Sequence, residues 1–440
     1  VAIIGSGVAG LAAAKYLLAE RQKGTTANYF EVVVFERHSE VAGIWNLTSP
    51  TTDRFQTPMY ETLETNVPRT LMAYGDFPYP KDVSLFPTHD KIKQYLESYS
   101  DDIRDYIKLD SEVTKVAKVT KNYQPKWKVE VGKYAHFFDA VVVATGTFNK
   151  FYMPPDLEID KWEKEHPGSV IHSGNFRRGQ DFEGKKVLMI GGGPSYFDIA
   201  RRISPYVKGE ILVSTNTPLL NLSSKNQRNL TKVENLLPKK RGVSFIDGAI
   251  EYDIDIILLC TGYQYDYSFL PKLQVSENGQ RVCELWEQMF WIHDPTLSFV
   301  GLPKMSAVFT VAEAQSAYIV RALARRLDFP SKPTMERELE EELKGYEAGA
   351  AIGAGRVATD RFHNFNYPKD KEYINRLSEE SWVVDEEENL GKRPPQFGSY
   401  FDWTRKNSAA MREAFYSKRD EKHSFTSPES LGFCYTPSST

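Results

Sequence analysis

Two glycine-rich stretches are the places where this chain could handle phosphate. At the front, the aliphatic run Val1 to Ile4 leads into Gly5-Ser6-Gly7-Val8-Ala9-Gly10 and then into a helix pattern, Leu11 to Leu18. In such a turn the first glycine permits the bend and the second lets a pyrophosphate approach the backbone. The third lets the helix pack on the strand, with the helix N-terminus facing the anion. Gly5, Gly7 and Gly10 fill these places, and Glu36, at the end of a second strand from Glu31 to Phe35, is placed to accept hydrogen bonds from a ribose diol. Later, the strand Lys185 to Ile190 leads into Gly191-Gly192-Gly193-Pro194-Ser195-Tyr196 and a helix through Asp198, Ile199 and Ala200. Gly191, Gly193, Pro194 and Ser195 are the candidate contacts there. Tyr196 stands where the third glycine would be, which implies a looser approach of helix to strand. Both turns point to dinucleotide binding.

The elements that must position these turns follow from the order of the chain. Two more apolar strands end in threonine-glycine, Ala140 to Ala144 before Thr145-Gly146 and Ile256 to Cys260 before Thr261-Gly262. Ligands of doubly wound folds sit at the carboxyl ends of parallel strands, so each pair is a candidate for close passage beside a cofactor. The expected fold class is α/β with two Rossmann-like dinucleotide-binding domains, the second inserted into the first. The first part of the outer domain spans residues 1–151 and closes at the Pro154-Pro155 break, the inserted domain spans 152–265, and residues 266–440 return to the outer domain and end in a helical segment. Leu297 to Gly301 is the returning strand and Thr310 to Leu327 the helix after it. The charged stretch Met335 to Tyr346 reads as a solvated helix face and Glu386-Glu387-Glu388 as exposed loop.

Composition narrows the function. The chain has 440 residues, 41% hydrophobic and 26% charged, with a net charge of -4, which suits a globular protein and gives no polyanion-binding signal. The compact basic cluster Lys239-Lys240-Arg241 reads as a solvated loop, and nucleic acid is not expected as a partner. Cys260, Cys283 and Cys434 show neither disulfide-framework nor metal-ligand spacing, so no metal is expected and a reducing, cytoplasmic location is. No apolar run reaches the roughly 18 residues that a membrane span needs, so no membrane anchor is expected. Because Val1 already lies in a strand pattern, a few residues including the initiator methionine are expected to precede it.

Between the glycine turns, His166-Pro167-Gly168-Ser169-Val170-Ile171-His172-Ser173-Gly174-Asn175-Phe176 resembles the FxGxxxHxxx(Y/F) motif of flavin-containing monooxygenases, with His166 in place of its first aromatic. Gly43-Ile44-Trp45 resembles that family's GGxW segment, with Ala42 for its first glycine. Tyr60, Leu63, Thr65-Asn66, Pro68 and Met72 resemble its segment with an asparagine beside the flavin, and Cys260-Thr261-Gly262-Tyr263 its ATGY signature. Asp294 to Gly301 with Glu313-Ala314-Gln315 resembles its late FAD-contacting region. The likeness covers residues 1 to about 325, and Tyr367 to Leu377 is similar to the soluble fungal branch.

The resemblance implies FAD at the first turn and NADPH at the second. It further implies a C4a-hydroperoxyflavin that passes one oxygen atom of O2 to a soft nitrogen or sulfur nucleophile of a small molecule. The cofactors carry the hard chemistry, so no triad, acid/base pair or metal cluster is needed. By the same likeness Asn66 directs its amide at the flavin edge and bound oxygen, Gly43, Ile44 and Trp45 adjoin the flavin, and Val113 meets the adenine through its backbone. Gln315 bonds a flavin carbonyl, and His172 links strands rather than acting as a base. Phe176 is open between a flavin wall and a core aromatic. After the strand Glu210 to Val213 the family places an arginine for the 2'-phosphate, whereas here the chain reads Ser214-Thr215-Asn216-Thr217. Ser214, Asn216 and Thr217 thus become the candidate contacts, with Lys225 or Arg228 as sources of charge, and NADPH is favoured with NADH open. A tryptophan that ketone-oxygenating relatives carry is replaced by Phe176, and the CxxxxC pair of disulfide reductases is missing. A ketone monooxygenase, an NADPH oxidase and an FAD-binding sensor or scaffold remain as alternatives, and a homodimer is left open.

Overall fold

The computed structural model describes residues 1–49, 52–216, 219, 226–348, 358–383 and 390–437. Short, mostly apolar strands form its centre, as expected of parallel strands covered on both faces. In the first sheet Ala2–Ile4 lies between Val33–Phe35 and Val141–Val143, all parallel. Ile107–Lys108 extends the sheet beyond Val33–Phe35, and Leu297–Phe299 pairs in parallel with Val141–Val143 on the other side. Two short antiparallel strands, Leu285–Trp286 and Phe290–Trp291, finish that edge.

The helix Val8–Ala19 is buried along most of its length by Gly10, Leu11, Ala12, Ala13, Ala14, Tyr16 and Leu17. Such small residues let it sit close to the sheet and to the helix Val308–Leu323, with which it shares a core. That second helix begins two residues earlier than the sequence pattern suggests, because the buried Asp370 carboxylate accepts the Ala307 N–H at 3.3 Å and holds the first turn. On the opposite face an antiparallel meander, Val113–Lys121, Gln124–Val131 and Tyr134–Phe138, buries Val116, Trp127 and Val129 against Ala2, Ile4 and Val141. Its first hairpin turns through Asn122 and Tyr123, both at positive φ, as tight two-residue hairpins require.

The second sheet is wholly parallel and runs in the order Gln227–Leu230, Ile211–Ser214, Val187–Ile190, Ile256–Leu259, Val170–His172. Its residues fall between Val141–Val143 and Leu297–Phe299, which are neighbours in the first sheet, so the second Rossmann-like unit is inserted into the first. The two crossing segments pair with each other, Tyr263 against Phe151 and Gln264 against Lys150. Toward the C-terminus, Lys369–Val383 packs on Val308–Leu323, and Ser399–Ser417 buries Met411 and Phe415 against Leu85 and Phe86. The helix Lys332–Ala348 covers the stretch read as a charged face and carries exposed pairs such as Lys344 with Glu340 at 2.7 Å. Glu386 to Glu388 lie outside the described residues.

Candidate active site

Both glycine turns open into one continuous cavity of about 1880 Å³. Ordinary ligand pockets hold about 300 to 1,000 Å³, so this one has room for more than a single small ligand. At its first end Gly5 has φ +104°, and a Cβ there would lie 2.5 Å from the Ala144 carbonyl oxygen. A Cβ on Gly10 would lie 1.9 Å from the Gly5 oxygen, so Gly10 sits behind the turn, where it lets the helix approach, and does not line the cavity. Gly7 lines it, with its backbone against Gly43. The Glu36 carboxylate is fixed before any ligand arrives. The Ser6 N–H and hydroxyl donate to its Oε2 at 2.7 and 2.9 Å, and the His38 N–H donates to Oε1 at 2.9 Å. Oε1, which accepts only one of these bonds, keeps a further lone pair for a diol.

Gly43, Ile44 and Trp45 form a single 3-10 turn on the cavity wall. Ala42 enters it at φ +84° and Gly43 at φ +57°, which explains why a glycine would be at ease in the place that Ala42 takes. Val113, Thr145 and Gly146 line the same region, and the Thr145 hydroxyl is buried with no partner among the described residues. Asn66 is exposed to the cavity from a loop clamped on both sides, by Thr65 N–H to the Pro87 carbonyl at 3.0 Å and by Arg69 N–H to that of Leu85 at 2.8 Å. Gln315 is brought elsewhere. It is fully buried, its oxygen accepts the Gly301 N–H at 2.8 Å, and its nitrogen donates to the Tyr373 hydroxyl at 2.9 Å. Its amide thus shapes the wall through Gly301, which does line the cavity.

At the second end Gly191, Gly193, Pro194 and Ser195 line the cavity with Thr261 and Gly262. Gly191 repeats the geometry of Gly5, with φ +107° and a Cβ position 2.3 Å from the Cys260 carbonyl oxygen. Tyr196 turns into the core beneath its helix and donates to Gln227 Oε1 at 2.5 Å. Ser214 and Asn216 reach the cavity, whereas Thr217 and Lys225 lie outside the described residues. Arg228 does not line the cavity, because Glu210 at 3.2 Å and Glu251 at 2.8 Å engage its guanidinium. A cation that does line it beside this turn is Lys232, which no motif marked. The Ser214 hydroxyl donates to Thr231 O at 2.7 Å and accepts the Val233 N–H at 3.0 Å, which sets Lys232 beside the strand end. Its ammonium also meets Asp156 at 3.2 Å.

His172 joins two strands of the second sheet. Its Nε2–H donates to the Gly262 carbonyl at 3.0 Å and its Nδ1 accepts the Gly174 N–H at 3.1 Å. Burial pushes its pKa down to about 4, so it stands neutral at physiological pH. Phe176 is a core residue, edge-on to Tyr60 at 4.9 Å. Tyr60 in turn hydrogen-bonds Asp198, which Arg202 also holds at 2.8 Å, and this ties the first unit to the helix of the second turn.

The model of the Flavin-binding monooxygenase-like family matches residues 1–227 and 230–363. The chain belongs to that family. It is 31% identical over 420 residues to the flavin-containing monooxygenase FMO GS-OX-like 2 of Arabidopsis thaliana, covering 88% of this chain and 84% of that protein. It is 29% identical over 397 residues to the thiol-specific monooxygenase of Saccharomyces cerevisiae, covering 86% and 84%. The structure of S-allyl-L-cysteine S-oxygenase from Allium sativum is similar with a TM-score of 0.79 and 26% identity over 98% of this chain and 96% of that one. As a flavin monooxygenase this chain is an oxidoreductase that uses FAD, NADPH and O2. The residues fit those groups: a backbone cradle at Gly5, Gly7 and Gly43, an unpartnered buried Thr145 hydroxyl, and a second cradle at Gly191 with Lys232 near by. Among the described residues no helix is long and apolar enough to cross a membrane, and no group of three His, Cys, Asp or Glu side chains could hold a metal.

Proposed function

We propose that this flavin monooxygenase is an S-oxygenase of small molecules, with FAD across Gly5, Gly7, Glu36, Gly43 to Trp45, Val113 and Thr145-Gly146. NADPH then lies across Gly191 to Ser195, Ser214, Asn216 and Thr261-Gly262. The observation that carries this reading is the single cavity that joins the two glycine turns, because electrons can pass only if both cofactors meet in one space. When bound, the flavin supplies the relay by which NADPH electrons reach O2. In the balanced reaction a thioether, O2, NADPH and a proton give a sulfoxide, NADP+ and water. The protein's own part is to hold the two cofactors together, exclude water and offer the Asn66 amide at the reacting edge, where it can donate and accept without competing as an acid. Sulfur rather than nitrogen is favoured by the names of the yeast and garlic relatives.

The domain boundaries that accompany this reading put residues 1–151 and 266–440 around FAD and 152–265 around NADPH. The three cysteines, all free, agree with a reducing cytoplasm. The test is mass spectrometry of thioethers, thiols, amines and ketones incubated with the yellow enzyme, NADPH and labelled O2. One labelled oxygen on sulfur is expected; oxygen insertion beside a ketone carbonyl, or hydrogen peroxide alone, would replace this reading with one of its alternatives.

A further inference from the structure

One wall of the cavity is made by three segments far apart in sequence. The loop after Leu297–Phe299 pairs with the segment that follows Arg361: the Lys304 N–H donates to the His363 carbonyl at 2.7 Å and the Phe365 N–H to that of Lys304 at 2.8 Å. Arg405, from the helix Ser399–Ser417, donates to the Met305 carbonyl at 2.9 Å and lies 3.5 Å from the Asp370 carboxylate. Arg361, Asn364, Asn366 and Arg405 thereby line the cavity together with Lys304.

The charge on this wall is of one sign. Of the carboxylates that line the cavity, Glu36 is held by Ser6 and His38, Glu112 pairs with Arg54 at 2.5 Å, Asp156 with Lys232 at 3.2 Å, and Asp266 faces Arg37. Asp370 is fully buried behind the wall. Arg361 is exposed and lines the cavity, and among the described residues its guanidinium makes no salt bridge. A carboxylate satisfies such a guanidinium in a planar, paired geometry. The amides of Asn364 and Asn366 add further donors to the same wall.

We propose that this wall binds a carboxylate of the substrate, so that the oxygen acceptor is a small thioether or thiol that also carries an acid group. The inference rests on the monooxygenase reading for the reaction but not for the binding. The probes are 3-(methylsulfanyl)propanoate and its primary amide, which differ in charge and share the sulfur. With FAD-loaded enzyme and NADP+, titration calorimetry should show the propanoate binding about tenfold more tightly than the amide. The ratio of their kcat/KM values for sulfoxide formation should favour the propanoate likewise. Arg361→Gln, at an exposed position, should reduce both ratios at least several-fold, and Arg405→Lys, which keeps a cation beside Asp370, should reduce them less. Equal binding of the two probes, or ratios unchanged in Arg361→Gln, would overturn the proposal. So would a rise in the KM for NADPH alone, which would assign the wall to the cofactor. If neither probe yields sulfoxide, the S-oxygenase reading fails, and calorimetry still decides the carboxylate site.

Discussion

The two glycine turns share a backbone scheme and part company beneath the helix. Gly5 and Gly191 have φ of +104° and +107°, and each passes so close to the end of a neighbouring strand that a Cβ would strike a carbonyl oxygen, at 2.5 and 2.3 Å. The first turn then closes on Gly10, where even a methyl group would fall 1.9 Å from the Gly5 oxygen. The second closes on Tyr196, whose ring fills the space between helix and sheet and whose hydroxyl reaches Gln227. One turn is held by the absence of side chains and the other by packing of a large one. Backbone contact of the first kind leaves the turn little room to shift.

The largest effect should come from the first turn. Gly7 faces the cavity, and on the protein side a Cβ there meets only Gly43, at an ordinary 3.5 Å from its Cα and 3.9 Å from its nitrogen. Gly7→Val should therefore fold but purify with less than about a tenth of the wild-type flavin, since the side chain occupies the approach to the pyrophosphate. Full yellow colour in that variant would dissolve the contrast, because the first turn would not be the tight site.

Asn66 lines the same cavity as the two turns, and its effect should be next in size. Asn66→Ala is expected to keep its FAD and to be reduced by NADPH at the normal rate. Loss of one preorganised hydrogen bond in a dry site costs about 2 to 4 kcal/mol, so product per NADPH should fall by roughly two orders of magnitude. The missing oxygen should appear as hydrogen peroxide. Normal coupling of NADPH to product would leave Asn66 an ordinary loop residue.

At the second turn smaller changes should suffice. Lys232→Ala should raise the KM for NADPH by about tenfold, equivalent to about 1.4 kcal/mol, and leave that for NADH nearly unchanged. Asn216→Arg should move the preference the other way. If Lys232→Ala affects both nicotinamides equally, the 2'-phosphate is not its partner.

The last effect is on stability rather than on binding or turnover; it is one of pH and falls on the second unit. His172 stays neutral in the folded protein down to about pH 4, whereas an unfolded histidine takes its proton near pH 6.5. The unfolded state thus binds more protons in this window. Stability is full above about pH 6.5 and falls progressively toward pH 4, by on the order of 2 to 3 kcal/mol. Thermal unfolding between pH 7 and 5 should show a drop in Tm that His172→Gln flattens. An unchanged slope in the variant would place the titrating group elsewhere.

The sequence by itself determined the two turns, the aliphatic strands around them and the order in which they occur. These depend on near neighbours: a glycine that alone tolerates the bend, and runs of β-branched residues that must be covered on both faces. The threonine-glycine strand ends and the place of Glu36 were legible for the same reason. Only the tertiary structure decided which polar groups remain free to serve the cavity. Gln315 is spent on Gly301 and Tyr373, and Arg228 is drawn off by Glu210 and Glu251. Lys232 reaches the cavity through the hydrogen bonds of Ser214, and Arg361 and Arg405 through contacts across about 60 to 100 residues of chain. A side chain's partners are set by whichever opposite charge or acceptor the fold brings near. That choice spans distances along the chain over which a local pattern carries no information.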